Sequence, residues 1–348
     1  MNNTFGERFS FTSFGESHGR AIGGVLDGVP AGIEIDLALI RHELERRSGK
    51  NALPFREGTG VGCSPRASRE PDEVEWLSGV MEMNDKRQND SPCMDQRPTT
   101  NDQRLITLGT PIAFLIRNKD ARPEDYEWLK HSYRIGHADK VYEQKYGIRD
   151  WRGGGRASAR ETAARVVAGC IAKQELAAKG IAIHASLIQV GAETDPSKFG
   201  EVIETVRLEG NSIGGIIECV IQGLPVGTGE PIFHKLQADL AFAIMSINAC
   251  KGFEYGTGFG GVTKKGSEIN HISGGIAGGI SDGTDITFRC VFKPTASTPK
   301  ALASIVNRQI VNQSDQPVTV GRHDACVATR AVPVVEAMAA LALANMLL

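Results

Sequence analysis

Four short stretches of this 348-residue chain place ionisable groups among glycines. FGESHG sets Glu16, Ser17 and His18 between Gly15 and Gly19, and histidine is the side chain best suited to proton transfer near neutral pH. A solvated turn is the commoner home for a lone histidine of this kind. RIGHADKVYEQKYG carries Arg134, His137 and Asp139, and VGRHDACVATRAVPVVEA carries Arg322, His323 and Asp324. The fourth stretch, WRGGGRASARET, runs through Gly153, Gly154 and Gly155 to Arg156 and Ser158. Arginines recur beside them: Arg20, Arg134, Arg156, Arg160 and Arg322, with Arg46 and Arg47 ending an early predicted helix. If the loops converge, they form an arginine-rich pocket holding histidines and an aspartate. Such a pocket binds a multiply anionic ligand and shuttles protons.

The glycine run has its own logic. Ser158 followed by Glu161 has the capping-box spacing of a helix start, and Ala159 to Lys179 is rich in helix formers, holds one interior glycine (Gly169) and stops at Gly180. A glycine loop opening onto a helix N-terminus suits an anion, and Arg156 adds a planar fork of donors. Taken alone, the stretch is slightly better explained as a tight turn before an ordinary capped helix. Neither the P-loop frame nor the G-x-G-x-x-G frame fits.

The remaining elements follow from periodicity and punctuation. Residues 20–35 predict a strand, a turn at DGVPAG and a second strand; Asp36 caps a helix running to Arg47 with a basic last turn. Strands are predicted at 73–80, 111–118, 181–191, 213–222 and 286–292, and helices between 191 and 213, at 234–246 and at 331–348. Residues 48–72 show no periodicity, and the polar segment 82–105 reads as a mobile surface insertion. Strands and long helices mix without a regular βαβ alternation, which predicts an α+β fold with antiparallel sheets in a single domain, 1–348.

Composition narrows the function classes. Apolar residues make up 41% and charged residues 23%, with a net charge of −2, so nothing favours nucleic acid or a membrane surface. The seven cysteines are scattered, with no C-x-x-C pair or metal spacing, and read as small core residues of a cytoplasmic protein without a structural metal. The apolar C-terminal run holds Glu336 and Asn345 and reads as a buried helix rather than a membrane span.

The ordered set FGESHG, GHAD, YEQKYG, RGGGR, SARET, MSINACKG, GGIAGGISDG, KPTAS, GRHD and RAVPVVEAM, from about Phe14 to the C-terminus, closely resembles the chorismate synthase family. The resemblance implies a β-α-β sandwich, with helices packed between antiparallel sheets, assembled as a homotetramer. It implies elimination of phosphate from 5-enolpyruvylshikimate 3-phosphate on reduced FMN, giving chorismate for aromatic amino-acid biosynthesis. His18 would protonate the departing phosphate, His137 would manage the proton of the reduced flavin, and Asp324 would help remove the substrate proton. Arg47, Arg134 and Arg160, with Ser17, would bind substrate. Flavin contacts would come from Arg156, Ala157, Ser158, Asn248, Ala249, Gly278, Lys293, Pro294, Thr295, Ala296, Ser297 and Arg322. Reduced flavin would come from NADPH, with Arg47 and Arg56 as the NADP contacts, or from an external flavin reductase.

The chain departs from that pattern in ERRSGK, in RIGHAD and GRHDAC, which lack a proline, and between KKGSE and NHISGG, where a flavin-covering loop is nearly absent. These departures suggest the alternative of a catalytically impaired flavin- and anion-binding homologue. A phosphate-binding hydrolase lacks an activated nucleophile or metal cluster in the sequence, and the near-neutral charge disfavours a nucleic-acid binder.

Overall fold

The computed structural model describes residues 2–49, 72–83, 104–134, 136–268, 273–296, 298 and 324–348. The first element pair is β1 (Thr4–Phe5) and β2 (Ser10–Phe14), followed by β3 (Ala21–Asp27) and β4 (Ala31–Glu34). Helix α1 (Leu37–Ser48) begins where Asp36 accepts a hydrogen bond from the Leu39 N–H, and ends with Arg46 and Arg47 ahead of a left-handed Gly49. Then come β5 (Val74–Ser78), β6 (Val80–Met83), β7 (Arg104–Leu108) and β8 (Ile112–Arg117). A 3₁₀ segment at Pro123–His131 leads to α2 (Asp139–Tyr146).

The second half opens with α3 (Thr162–Ala178), β9 (Ala182–Val190), α4 (Phe199–Leu208) and β10 (Gly215–Gln222). Helix α5 (Leu236–Met245) and β11 (Cys250–Tyr255) precede the short pair β12 (Ile276–Ala277) and β13 (Ile280–Ser281). Strand β14 (Ile286–Phe292) and helix α6 (Ala328–Leu347) complete the described elements.

Every strand pairing among the described residues is antiparallel. One sheet has the order β1-β2-β3-β8-β5 and a second β11-β14-β10-β9, with a smaller sheet β4-β7-β6 and the ribbon β12-β13. Helix α3 contacts β2 and β3 of the first sheet and β9 of the second; α6 contacts β2, β9 and β10. The α+β expectation therefore holds, with α3 and α6 between the two larger sheets.

Both middle helices are buried on nearly every side, as residues apolar all round must be. Their close approach explains the interior glycine of α3: a Cβ on Gly169 would lie 2.3 Å from the Ala337 Cβ of α6. Among the described residues α6 alone is long and apolar enough to cross a membrane, but 78% of its apolar window is buried in the protein, which makes it a core helix. Cys170, Cys219, Cys250, Cys290 and Cys326 are buried small core residues as expected; Cys63 and Cys93 lie outside the described residues.

Two expectations need correction. The ends of the segment 82–105 belong to strands: β6 pairs with β7 from Val80↔Thr107 to Met83↔Arg104, so the segment joins two paired strands, and 84–103 lies outside the described residues. The capping box also fails. Ala159–Glu161 forms a 3₁₀ turn and α3 starts at Thr162; the Ser158 hydroxyl accepts from Arg160, while the Glu161 carboxylate turns forward to Arg165. A guanidinium one turn on competes successfully for the glutamate that would have reached back to Ser158.

Candidate active site

The loop between β2 and β3 carries Ser17 and His18, and the glycine loop packs directly on it. The Ser17 N–H donates to the Gly155 carbonyl at 3.4 Å, and the His18 ring stands edge-on to Tyr126 with centroids 4.8 Å apart. All three glycines of the run adopt left-handed φ, at +61°, +86° and +53°. A Cβ on Gly153 would sit 2.0 Å from His18 Nδ1, and one on Gly154 would sit 2.7 Å from an Arg134 guanidinium nitrogen. Protein side chains, histidine on one side and arginine on the other, therefore account for two of these glycines.

Arg156, expected as a flavin contact, is engaged with the protein itself. Its guanidinium donates to the Gly15 carbonyl and to the Ser13 hydroxyl and carbonyl, pinning the glycine loop to β2. The start of α3 meets another cation: Arg47 donates to Thr162 Oγ1 at 3.2 Å and to the Ala159 carbonyl.

A network the sequence did not announce joins the expected arginines. Asp72, two residues ahead of β5, accepts from Arg47 at 3.2 Å and from Arg160. Burial would raise the pKa of Asp72, but the two guanidinium groups outweigh it and hold the carboxyl below its ordinary range. Burial pushes Arg47 down to about 10, with Asp72 opposing and Arg330 and Arg160 adding to the effect, so it stays charged at neutral pH. Arg330 donates to the Arg47 carbonyl at 2.9 Å and to Asp324 Oδ2 at 2.6 Å. Three guanidinium groups thus face two carboxylates, leaving an excess positive charge in a buried place.

The other oxygen of Asp324, Oδ1, is buried without a hydrogen-bond partner among the described residues. Its main-chain carbonyl accepts from Thr295 Oγ1 at 2.8 Å, which ties the segment after β14 to the start of α6. On the facing side, Arg134 grips Asp139 through Nε at 2.9 Å and a terminal nitrogen at 2.8 Å. Lys293 Nζ donates to the Gly136 carbonyl, and its main-chain N–H donates to Ala249. Asn248 donates to the Ala157 carbonyl at 3.1 Å, while its Oδ1 is buried without a partner among the described residues. Its neighbour Ala249 has φ +69°, a left-handed conformation that costs a side-chain-bearing residue on the order of 1–2 kcal/mol.

His137 is partly open to solvent as a residue, while its ring is crowded by protein and feels the Arg134, Asp139 and Lys293 charges. Its imidazole is pushed down to about 4, first by the protein crowding around it and then by the Arg134 and Lys293 charges, against an opposing pull from Asp139. It is therefore neutral at pH 7. The unfolded chain takes up this proton first, near the ordinary 6.5, so the residue's contribution to stability is lost as pH falls from 6.5 to about 4. An NMR titration of the His137 ring should show a midpoint near 4; a midpoint at or above 6.5 contradicts the assignment.

Contacts thus connect Ser17, His18, Arg47, Arg134, Arg156, Ala157, Arg160, Asn248, Ala249, Lys293, Thr295 and Asp324 through one another, through the glycine loop and the His18 turn, or through Asp72, Asn118 and Arg330. Ser158, Pro294 and Ala296 are chain neighbours of this set. Gly278 lies outside this chain of contacts: its ribbon is bound to the start of α5, where the Leu236 N–H donates to the Gly279 carbonyl. Arg56, Ser297, Arg322 and His323 lie outside the described residues. Sequence reading missed Asp72, Asn118 and Tyr126, because none stands among the glycines that mark the four motifs.

The α+β fold sets buried arginines beside a histidine and a carboxylate, a group of side chains suited to an anionic ligand and to proton transfer. Comparison with known proteins narrows this. The family model for chorismate synthase matches residues 9–93 and 103–348. The chain is 43% identical to the chorismate synthase of Christiangramia forsetii, over 99% of this chain and 96% of that protein. It is 44% identical to the chorismate synthase of Bacteroides thetaiotaomicron, over 98% and 96%. A crystal structure of chorismate synthase superposes with a TM-score of 0.67 at 27% identity, covering 98% of this chain and 92% of that one. The chain belongs to the chorismate synthase family. Its activity is the family's: a carbon–oxygen lyase reaction that eliminates phosphate from 5-enolpyruvylshikimate 3-phosphate to give chorismate. The impaired-homologue reading gains no support from relatives matched over 96% of their length.

Proposed function

We propose that this chain carries out the elimination with His18 as the proton donor to the departing phosphate, Asp324 as the proton acceptor, and Arg47 and Arg160 as the principal anion-holding groups. The observation that carries this reading is the buried excess of guanidinium over carboxylate next to the His18 loop. Phosphate leaves more readily when protonated, and a histidine enclosed by Tyr126 and Gly153 is held in one orientation for that transfer. Asp324 offers Oδ1 as a lone acceptor while Arg330 fixes Oδ2, so the oxygen available to take a proton is defined. Ser17, 3% exposed beside His18, and Arg134 complete the substrate contacts.

The cofactor in this proposal is reduced FMN. Two buried acceptors, Asn248 Oδ1 and Asp324 Oδ1, fit the N–H groups of a reduced flavin, and the strained Ala249 beside one of them fits a backbone shaped around a ligand. Asn248, Ala249, Ala157, Ser158 and the Lys293–Thr295 segment would hold the group, with Arg156 fixing the loop that carries Ala157. When bound, reduced flavin supplies an electron-rich ring beside the breaking bond. A neutral His137 can accept a hydrogen bond or proton, which an imidazolium cannot.

Arg47 lies in the buried Asp72 cluster, a setting that suits a compact anion better than a bulky dinucleotide, so the source of reduced flavin in this proposal is an external reductase. Exposed Ile232, Phe233 and Phe242 support assembly with further copies as a homotetramer. The continuous contact network supports one domain.

The test is anaerobic: purified protein, dithionite-reduced FMN and 5-enolpyruvylshikimate 3-phosphate, with chorismate absorbance and phosphate release as readouts. Turnover is expected, and flavin binding without turnover would return the impaired homologue to favour. His18→Ala and His137→Ala should each lower kcat by about 10²-fold or more with the fold retained. A wild-type rate in either variant removes that histidine from the mechanism.

A further inference from the structure

Asn118, the residue directly after β8, touches both halves of the proposed site. Its main-chain N–H donates to the Arg20 carbonyl at 3.1 Å, continuing the β3–β8 ladder by one step beyond Ala21↔Arg117. Its side-chain Nδ2 donates to the Glu16 carbonyl at 3.0 Å and to the Gly19 carbonyl at 2.9 Å, the two ends of the turn that carries His18. The turn is closed by its own bond, from the Gly19 N–H to the Glu16 carbonyl at 3.0 Å. Asn118 Oδ1 accepts from Arg160 Nε at 3.1 Å, while another nitrogen of the same guanidinium is held by Asp72.

We propose that Asn118 is a positioning residue that keeps the His18 turn in register with the Arg160 guanidinium. The proposal rests on the reading above, in which His18 protonates an anion that Arg160 helps to hold. That transfer needs donor and anion site fixed relative to each other, and a displacement of about 1 Å costs on the order of 10²-fold in rate. One planar amide meets the requirement. It has an acceptor on one side and two donors on the other, at a length that reaches a guanidinium and two carbonyls together. Aspartate keeps the acceptor but has no donor, and alanine has neither.

The experiment is a double-mutant cycle on full-length protein with reduced FMN. Steady-state kcat and KM are measured for Asn118→Ala and Asn118→Asp, each in the wild-type and His18→Ala backgrounds. In the wild-type background both variants should lose about 30- to 100-fold in kcat, while KM changes by less than about 3-fold. In the His18→Ala background the further loss should be less than about 3-fold, because a residue acting through His18 has nothing left to position. Asn118→Asp is the more telling variant, since it retains the Arg160 contact and sets a carboxylate oxygen against two carbonyls. If Asn118→Ala does not fold by circular dichroism, Asn118→Ser, with a shorter donor, takes its place in the cycle and should show the same coupling. A kcat within about 3-fold of wild type for Asn118→Asp, or equal losses in both backgrounds, overturns the proposal. Wild-type protein that makes no chorismate overturns the functional reading instead, and His18→Ala at a wild-type rate removes the role of His18 and the Asn118 proposal with it, while leaving the lyase reading in place.

Discussion

Alanine at Gly153 is expected to lower kcat by about 10²-fold or more while leaving the melting temperature within a few degrees of wild type. The added Cβ would stand 2.0 Å from His18 Nδ1 and 2.1 Å from Cε1, far inside contact distance. Something must move, and the alternatives are unequal. The loop is pinned through Arg156 to Ser13 and Gly15, through Gly155 to Ser17 and through Ala157 to Asn248. The imidazole is 9% exposed and has Tyr126 against it. Rotation of the imidazole is the cheaper response, and it would move the proposed proton donor. Left-handed backbone at φ +61° adds roughly 1–2 kcal/mol of strain for alanine, which a chain of this size tolerates. The readouts are kcat, KM and thermal unfolding of Gly153→Ala beside His18→Ala, and the two should resemble one another in kcat. Full activity in Gly153→Ala would mean that the ring has room to spare and that the enclosure of His18 is unimportant.

The same glycines show where sequence reading stopped short. Three consecutive glycines before a helix read as a cradle for a ligand, and the resemblance placed flavin there. The structure gives Gly153 and Gly154 a nearer cause, namely the side chains of His18 and Arg134 from segments far away in sequence. Local signals were legible where local chemistry decides the outcome: the Asp36 cap of α1, the limits of β14 at 286–292, and the burial of α6. Asp72 was passed over as one polar residue in an aperiodic stretch. Its meaning lies in Arg47 and Arg160, 25 and 88 positions away. Asn118 is likewise ordinary in its own stretch, because its partners at Glu16 and Gly19 are 102 and 99 positions away across the β3–β8 pairing. No spacing rule reaches across a sheet, so a motif names the residues that touch ligand more readily than those that hold them.

The arginines were legible as cations but not as partners. Arg47 and Arg160 share Asp72, Arg134 holds Asp139, and Arg330 holds Asp324. Unpaired, such buried charges would cost several kcal/mol each. The cations are therefore held in place by the protein itself, and in the proposed mechanism an incoming phosphate ester would meet guanidinium groups whose orientation is already set.

Replacing Glu336 by glutamine is expected to lower the free energy of unfolding by about 3–5 kcal/mol. Glu336 is 3% exposed in the middle of α6, where Oε1 accepts from Arg46 at 3.1 Å and from the Ala185 N–H of β9 at 2.9 Å. Oε2 accepts from Arg46 at 3.0 Å and from Lys173 of α3 at 2.7 Å. Glu43 of α1 bonds the same two cations, so two carboxylates balance one arginine and one lysine where three helices and a strand meet. Glutamine leaves that cluster with one uncompensated buried charge. Adding Lys173→Met restores the balance, so the double variant should recover about 1–2 kcal/mol of the loss. Burial would raise the pKa of Glu336, but the bonds and charges of Arg46 and Lys173 outweigh it and hold it below 4.5. Its contribution is therefore present above the ordinary carboxylate value and disappears as pH falls through the lowered one. Urea unfolding of the wild type, Glu336→Gln and the double variant, at neutral pH and through the acid limb, tests all three statements. If Glu336→Gln falls within about 1 kcal/mol of wild type, the cluster is a bystander in stability. If the double variant is no better than the single one, the lost hydrogen bonds outweigh the charge imbalance. The glutamate that kept the C-terminal run from reading as a membrane span is, on this account, the brace that fixes α1, α3 and α6 against β9.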